Sequence, residues 1–128
     1  MTNAATHAAL LVAVDQYLEL MYDSDTERFD SVFAPSAQLH GLRDGSLHIL
    51  PAAEYRKLLA SNPSPKKKNA PRQQEVLFVD FASLDQALVK VRVRINTIIY
   101  VDYLSFHLVN GCWLVTAKSF HAEKRSET

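Results

Sequence analysis

This chain has little of what marks several common classes of protein. Only one cysteine, Cys112, stands among its 128 residues, which excludes an internal disulfide and any cysteine-built metal cluster. A reducing compartment is therefore permitted. The three glycines are isolated, so there is no glycine-rich loop to cradle phosphates. Charge of one sign is also missing: fourteen basic and fourteen acidic side chains cancel, leaving no overall field to draw in nucleic acid or an anionic membrane. No apolar run approaches the length of a membrane span. Met1 to Ala9 lacks the basic start and continuous apolar core of a secretory signal. The five histidines show no close helical pairing, and neither a metal nor another cofactor is expected. These absences point to a soluble, cytoplasmic protein whose partners are a small ligand or another protein, with no nucleic acid and no membrane.

What is there reads as one domain spanning residues 1–128, with a core over about 6–123. Ala4 to Tyr22 places Leu10, Leu11, Val14, Leu18 and Met21 on one helical stripe. Asp23-Ser24-Asp25 ends that helix, and Thr26 opens a short second one with Phe29, Val32 and Phe33 facing inward. Gln38 to Leu42, the turn Asp44-Gly45 and Ser46 to Leu50 read as a hairpin, and Pro51 opens a third helix to about Ser61. Residues 62–71, with three prolines and Lys66-Lys67-Lys68, read as a flexible loop with no assigned role. Four strands follow: Gln73 to Phe81, Gln86 to Ile95, Ile98 to Val109 and Cys112 to His121. Helices first and a meander after imply an α+β fold in which a strongly curved, mostly antiparallel sheet wraps the helices as a cone. Lys90, Arg92 and Arg94 alternate with buried valines, which predicts a basic, solvated outer face there; Arg92 and Lys118 are likewise assigned outside. The mixed outer face suits an isologous homodimer contact.

The last hairpin carries the candidate site. Asn110-Gly111 fits a type I′ turn, and regular pairing outward from Val109/Cys112 sets Phe106 opposite Val115, Leu104 opposite Ala117, Asp102 opposite Ser119 and Tyr100 opposite His121. One face then runs from apolar residues into a carboxylate, a hydroxyl, a phenol and an imidazole. An apolar lining with a few orienting polar groups is what a ligand pocket requires. Asp102 reads either as a donor or proton relay to a ligand, or as a carboxylate tied structurally to Ser119, His121 or Tyr17, because a charge on a core-facing row is costly unless used or paired. His121 reads as its acid–base partner or as a strand-end residue, and Tyr22, Tyr55 and Tyr100 as lining of the mouth or as packing.

Gln16-Tyr17-Leu18 with Asp23-Ser24-Asp25, Phe33-Ala34-Pro35-Ser36-Ala37, Val101-Asp102-Tyr103-Leu104, and the Asn-Gly turn with Trp113 and Lys118-Ser119-Phe120-His121 come in this order. In that order and spacing they resemble the nuclear transport factor two-like, SnoaL-like superfamily. The nearest groups are the "putative lumazine-binding" proteins and, more distantly, the ketosteroid isomerases. The resemblance covers Leu10 to His121 and implies a cystatin-like cone. It also implies that Tyr17 and Asp102 stand where the isomerases hold a dienolate with a tyrosine hydroxyl and a protonated aspartate. The isomerases' proton-moving carboxylate falls at about Gly41, which has no side chain to take a proton. His40 beside it would serve as base if a bulge turned it inward. Two functions follow. One is a small-molecule pocket protein that binds or converts a flat apolar ligand by cofactor-free isomerase, dehydratase or cyclase chemistry. The other is a non-catalytic dimeric module with a filled cavity.

Overall fold

The computed structural model describes residues 3–125; Met1, Thr2 and Ser126 to Thr128, which the one-domain expectation includes, lie outside them. Helix α1 (Asn3–Asp23) buries Leu10, Val14, Leu18 and Met21 of the expected stripe together with Tyr17, while Leu11 is only half-buried. Asp25 caps the 3-10 helix Thr26–Ser31 by accepting a hydrogen bond from the Glu27 amide. Phe29 within it and Val32 and Phe33 after it turn inward. Strands β1 (Phe33–Arg43) and β2 (Ser46–Pro51) form the first hairpin, and α2 (Ala52–Ser61) follows. The meander comprises β3 (Gln74–Ser83), β4 (Gln86–Ile95), β5 (Ile98–Val109) and β6 (Cys112–Arg125). β1 begins earlier and β6 ends later than their patterns indicate, because pairing with neighbours extends them.

The six strands form one mixed sheet in the order β2-β1-β6-β5-β4-β3, antiparallel throughout except for the parallel β1–β6 seam. This corrects the expected strongly curved cone. The sheet is open, neither closed nor strongly curled, with β2 and β3 at opposite edges. Helices flank the two edge regions instead: α2 packs against β1 and β2, and His7 of α1 meets Phe81 of β3 at 5.7 Å between ring centroids. Between sheet and helices, Phe29 stacks on Phe33 at 4.8 Å, and Tyr17 and Tyr55 approach Phe33 at 5.9 and 5.7 Å. The Val115 amide donates to the Val32 carbonyl at 2.8 Å, tying the helical connection to the seam.

One further feature differs from expectation. Arg94 is not on a solvated face: it is 4 % exposed, and its guanidinium donates to the Asn96 carbonyl and to Gln73 Oε1. Residues 62–71 carry their own hydrogen bonds, with the Lys66 amide donating to the Tyr22 carbonyl and the Tyr22 hydroxyl to the Ala70 carbonyl. At the last hairpin, Asn110 and Gly111 have φ of 50° and 81°, as a type I′ turn demands. Gly111→Ala is expected to lower stability by about 1 kcal/mol in urea unfolding, and an unchanged midpoint would refute that reading of the turn.

Candidate functional site

The β5–β6 ladder keeps the regular register only as far as Phe106/Val115. There a bulge intervenes: Ser105 pairs with Ala117, leaving Thr116 extra. The Thr116 hydroxyl donates to the Ser105 carbonyl and contacts His107 Nδ1 at 2.6 Å, so the inserted residue is itself satisfied. Because side chains alternate along a strand, one extra residue exchanges the two faces beyond it. Leu104 then pairs with Lys118, Tyr103 with Ser119, Asp102 with Phe120 and Val101 with His121. Lys118 and Phe120 turn inward, while Ser119 and His121 are exposed on the outer face. The expected pairs Asp102/Ser119 and Tyr100/His121 are therefore corrected, and so is the placement of Lys118 outside.

Four elements thereby bring four polar side chains together. Tyr17 of α1 donates its hydroxyl to Asp102 Oδ2 of β5 at 2.5 Å. Lys118 Nζ of β6 lies 3.6 Å from the same oxygen and 3.5 Å from the Tyr55 hydroxyl of α2. The Tyr55 hydroxyl also contacts Met21 Sδ at 3.3 Å, and the ammonium stands 5.3 and 5.0 Å from the centroids of the Tyr17 and Tyr55 rings. Asp102 is 1 % and Lys118 5 % exposed. Burial alone pulls the Lys118 ammonium down, but the Asp102 carboxylate and the Tyr55 hydroxyl outweigh it and hold it above its ordinary value. Burial, reinforced by Asp102, pushes the Tyr17 phenol well up, and burial does the same to Tyr55 against the opposing pull of Lys118.

This cluster borders a cavity of about 360 Å³. Its walls are mainly apolar, with Leu39, Leu50, Ile95, Tyr100 and Phe120 among them, and Asp102, Lys118 and Tyr55 supply polar atoms. Arg43, Lys68 and Asn62 also line it, so the segment 62–71 contributes a wall. Tyr100 and Phe120 meet edge to face at 6.2 Å. A Cβ on Gly41 would overlap the Phe120 ring, so the inward space at Gly41 is already filled by an aromatic side chain.

Of the residues singled out from the sequence, Tyr17, Asp102, Tyr55 and Tyr100 come together at this place. His40 does not: it sits between the inward-facing Leu39 and Gly41, in register with Ser119, and the register shift of β1 lies earlier, between Phe33 and Gln38, so pairing around His40 is regular. His121 and Ser119 lie on the opposite face from Asp102. Tyr22 is engaged elsewhere, bonded to Ala70 and covered by the Arg72 guanidinium at 5.2 Å. Sequence reasoning missed Lys118 and Phe120. The signal was present, since regular alternation aims Phe120 at solvent while making the core row fully polar. No group of three metal-ligating side chains occurs among the described residues, and no helix there is long and apolar enough to cross a membrane.

Comparison with known proteins places the fold. The family described as "putative lumazine-binding" matches residues 5–121. An NTF-2 like protein of unknown function from Silicibacter pomeroyi superposes with a TM-score of 0.80 at 20 % identity, over 96 % of this chain and 100 % of that one. One from Shewanella baltica gives 0.82 at 19 % identity, over 97 % and 98 %. A ketosteroid isomerase-like protein from Erwinia carotovora gives 0.70 at 14 % identity, over 91 % and 95 %. At such identities the likeness to these structures shows the fold alone. No curated protein matches the chain.

Tyr17, Tyr55 and Lys118 all hold their protons more tightly in the folded protein than their ordinary values of 10.0, 10.0 and 10.5. The stability they contribute is present below those values and is lost as pH rises through the folded ones. Urea unfolding between about pH 8 and about pH 11 should show a steeper alkaline loss in the wild type than in Tyr17→Phe. Parallel profiles would remove Tyr17 from the linkage.

Proposed function

The chain belongs to the "putative lumazine-binding" family of the nuclear transport factor two-like, SnoaL-like superfamily, and from that premise we propose that it is a small-molecule pocket protein. Its ligand is flat and mostly apolar, and it sits in the cavity with its polar edge toward Asp102, Lys118 and Tyr55. The observation that carries this reading is the buried Asp102–Lys118 pair beside an apolar cavity of about 360 Å³, a volume in the range of small-ligand sites. A core filled for stability alone gains little from such a pair, since a well-packed apolar pair of similar volume is often as stable or more so.

Any conversion of the ligand runs without a cofactor and draws on the same groups. Asp102 takes or relays a proton, and the Lys118 ammonium offsets negative charge developing on a ligand oxygen. Tyr17 holds Asp102 in place, and Tyr100 stacks on the ligand. His40, His121, Ser119 and Tyr22 have no part in the pocket chemistry on this reading, because their side chains are directed or bonded elsewhere. A thermal-shift panel of planar phenols, steroid enones, lumazine and flavin analogues tests it. Stabilisation by one class is expected in the wild type and is lost in Asp102→Asn. A silent panel, with the folded variant behaving as wild type, would overturn the pocket reading.

A second reading concerns the partner of the outer face. Phe78, Lys90, Tyr103, Ser119, His40 and Ile49 lie in one cross-strand row, of which Phe78, Tyr103 and Ile49 are large and exposed. We assign this row to an isologous homodimer contact. Sedimentation should give a dimer that Tyr103→Arg shifts to monomer, and a monomeric wild type at high concentration would refute it.

A further inference from the structure

The Asp102–Lys118 pair is incompletely satisfied, and in a particular way. Both contacts to the carboxylate fall on one oxygen: the Tyr17 hydroxyl and Lys118 Nζ address Oδ2. The other oxygen, Oδ1, is buried with no hydrogen-bond partner. The Lys118 ammonium has three donors; one reaches Met21 Sδ at 3.7 Å, while its two oxygen neighbours, Tyr55 Oη and Asp102 Oδ2, stand at 3.5 and 3.6 Å, beyond the usual N–H···O span of about 2.7–3.2 Å. An unpartnered acceptor and an ammonium whose contacts with oxygen are all long thus lie side by side, on two residues that line the cavity. A buried polar atom left without a partner is uncommon and costly. Among the described residues just one other side-chain oxygen is in that state, Asn96 Oδ1, and Asn96 lines the same cavity.

We infer that the ligand's polar edge presents a hydrogen-bond donor beside an acceptor, the pattern of a cyclic amide. Its ring N–H donates to Asp102 Oδ1 and its carbonyl oxygen accepts from Lys118 Nζ. This rests on the pocket reading above and narrows it to a chemical class. A ligand carboxylate would set its charge against Asp102, and a ligand ammonium against Lys118. A neutral edge carrying both functions satisfies the two without disturbing their pairing. Lys118 acts here as a fixed donor and not as a nucleophile, since its neighbours hold it in the charged form, which has no lone pair to attack a carbonyl.

Calorimetric titration of the wild type with three bicyclic probes of similar size tests the inference: isoquinolin-1-one, a cyclic amide; 1-methoxyisoquinoline, its O-methylated form with a bare ring nitrogen; and naphthalene. The amide is expected to bind about tenfold or more tightly than either of the others. In Asp102→Asn, whose carboxamide keeps its oxygen on Tyr17 and turns its NH2 toward the ligand, that preference should fall below about threefold or reverse toward the methoxy probe. If this variant does not fold because Lys118 has lost its counter-charge, Asp102→Asn combined with Lys118→Met removes both charges and should show the same loss. Equal wild-type affinity for all three probes would mean that water serves Oδ1 and Nζ, overturning this inference while leaving the pocket standing. Failure of all three to bind would overturn both.

Discussion

A carboxylate buried among apolar side chains constrains everything around it. Asp102 is 1 % exposed and shares its row of β5 with the buried Leu104 and Phe106. A lone charge there would cost several kcal/mol. The structure answers with a hydroxyl from α1 and an ammonium from β6, two elements far apart in sequence. Breaking such a pair by removing one partner leaves the other uncompensated, at a cost of about 3–5 kcal/mol. The pair therefore fixes how α1 sits on the sheet and how β5 meets β6, and it concentrates the polar groups of the interior in one place.

That arrangement depends on a single inserted residue. Without Thr116 out of register, Lys118 would face solvent and Ser119 would sit opposite Asp102, leaving the carboxylate without a counter-charge. The bulge has a second consequence two residues on, where Phe120 turns inward over Gly41 and against Tyr100. Glycine at position 41 is thus a steric requirement of the ring that lies on it. One backbone irregularity sets both the charge balance and the shape of the cavity wall.

Most of the element order was legible because it rests on local periodicity and turn chemistry. The α1 stripe, Asn110-Gly111 and the alternation of Val89, Val91 and Val93 each declare themselves within a few residues. Tyr17 and Asp102 were legible too, as polar groups on apolar rows. Lys118 was not, because its face is decided by Thr116 bonding the Ser105 carbonyl across the ladder, an interaction that alternation alone does not encode. Arg94 was misplaced for a related reason: its position alternates outward, but the turn at Asn96 offers a carbonyl that draws the guanidinium into the interior. The openness of the sheet was hidden as well. A meander following helices is compatible with closure or with an open edge, and local periodicity does not distinguish the two.

The same geometry separates fold from chemistry. Membership in the family and the likeness to solved NTF2-like structures account for the fold. The fold does not by itself specify the interior chemistry, where Lys118 turns the Tyr17–Asp102 contact into a charge-balanced cluster beside the cavity. Nor does it supply a proton-moving group on β1, where Gly41 lies under an aromatic ring and His40 projects from the other side of the strand. On the proposed reading, chemistry in this cavity is therefore assigned to β5 and β6, to Asp102 and Lys118. A mechanism that needs a separate base across the ligand from them has no residue on β1 to provide it. On the same reading the cavity holds a polar edge on one side and leaves the rest of the ligand against apolar walls.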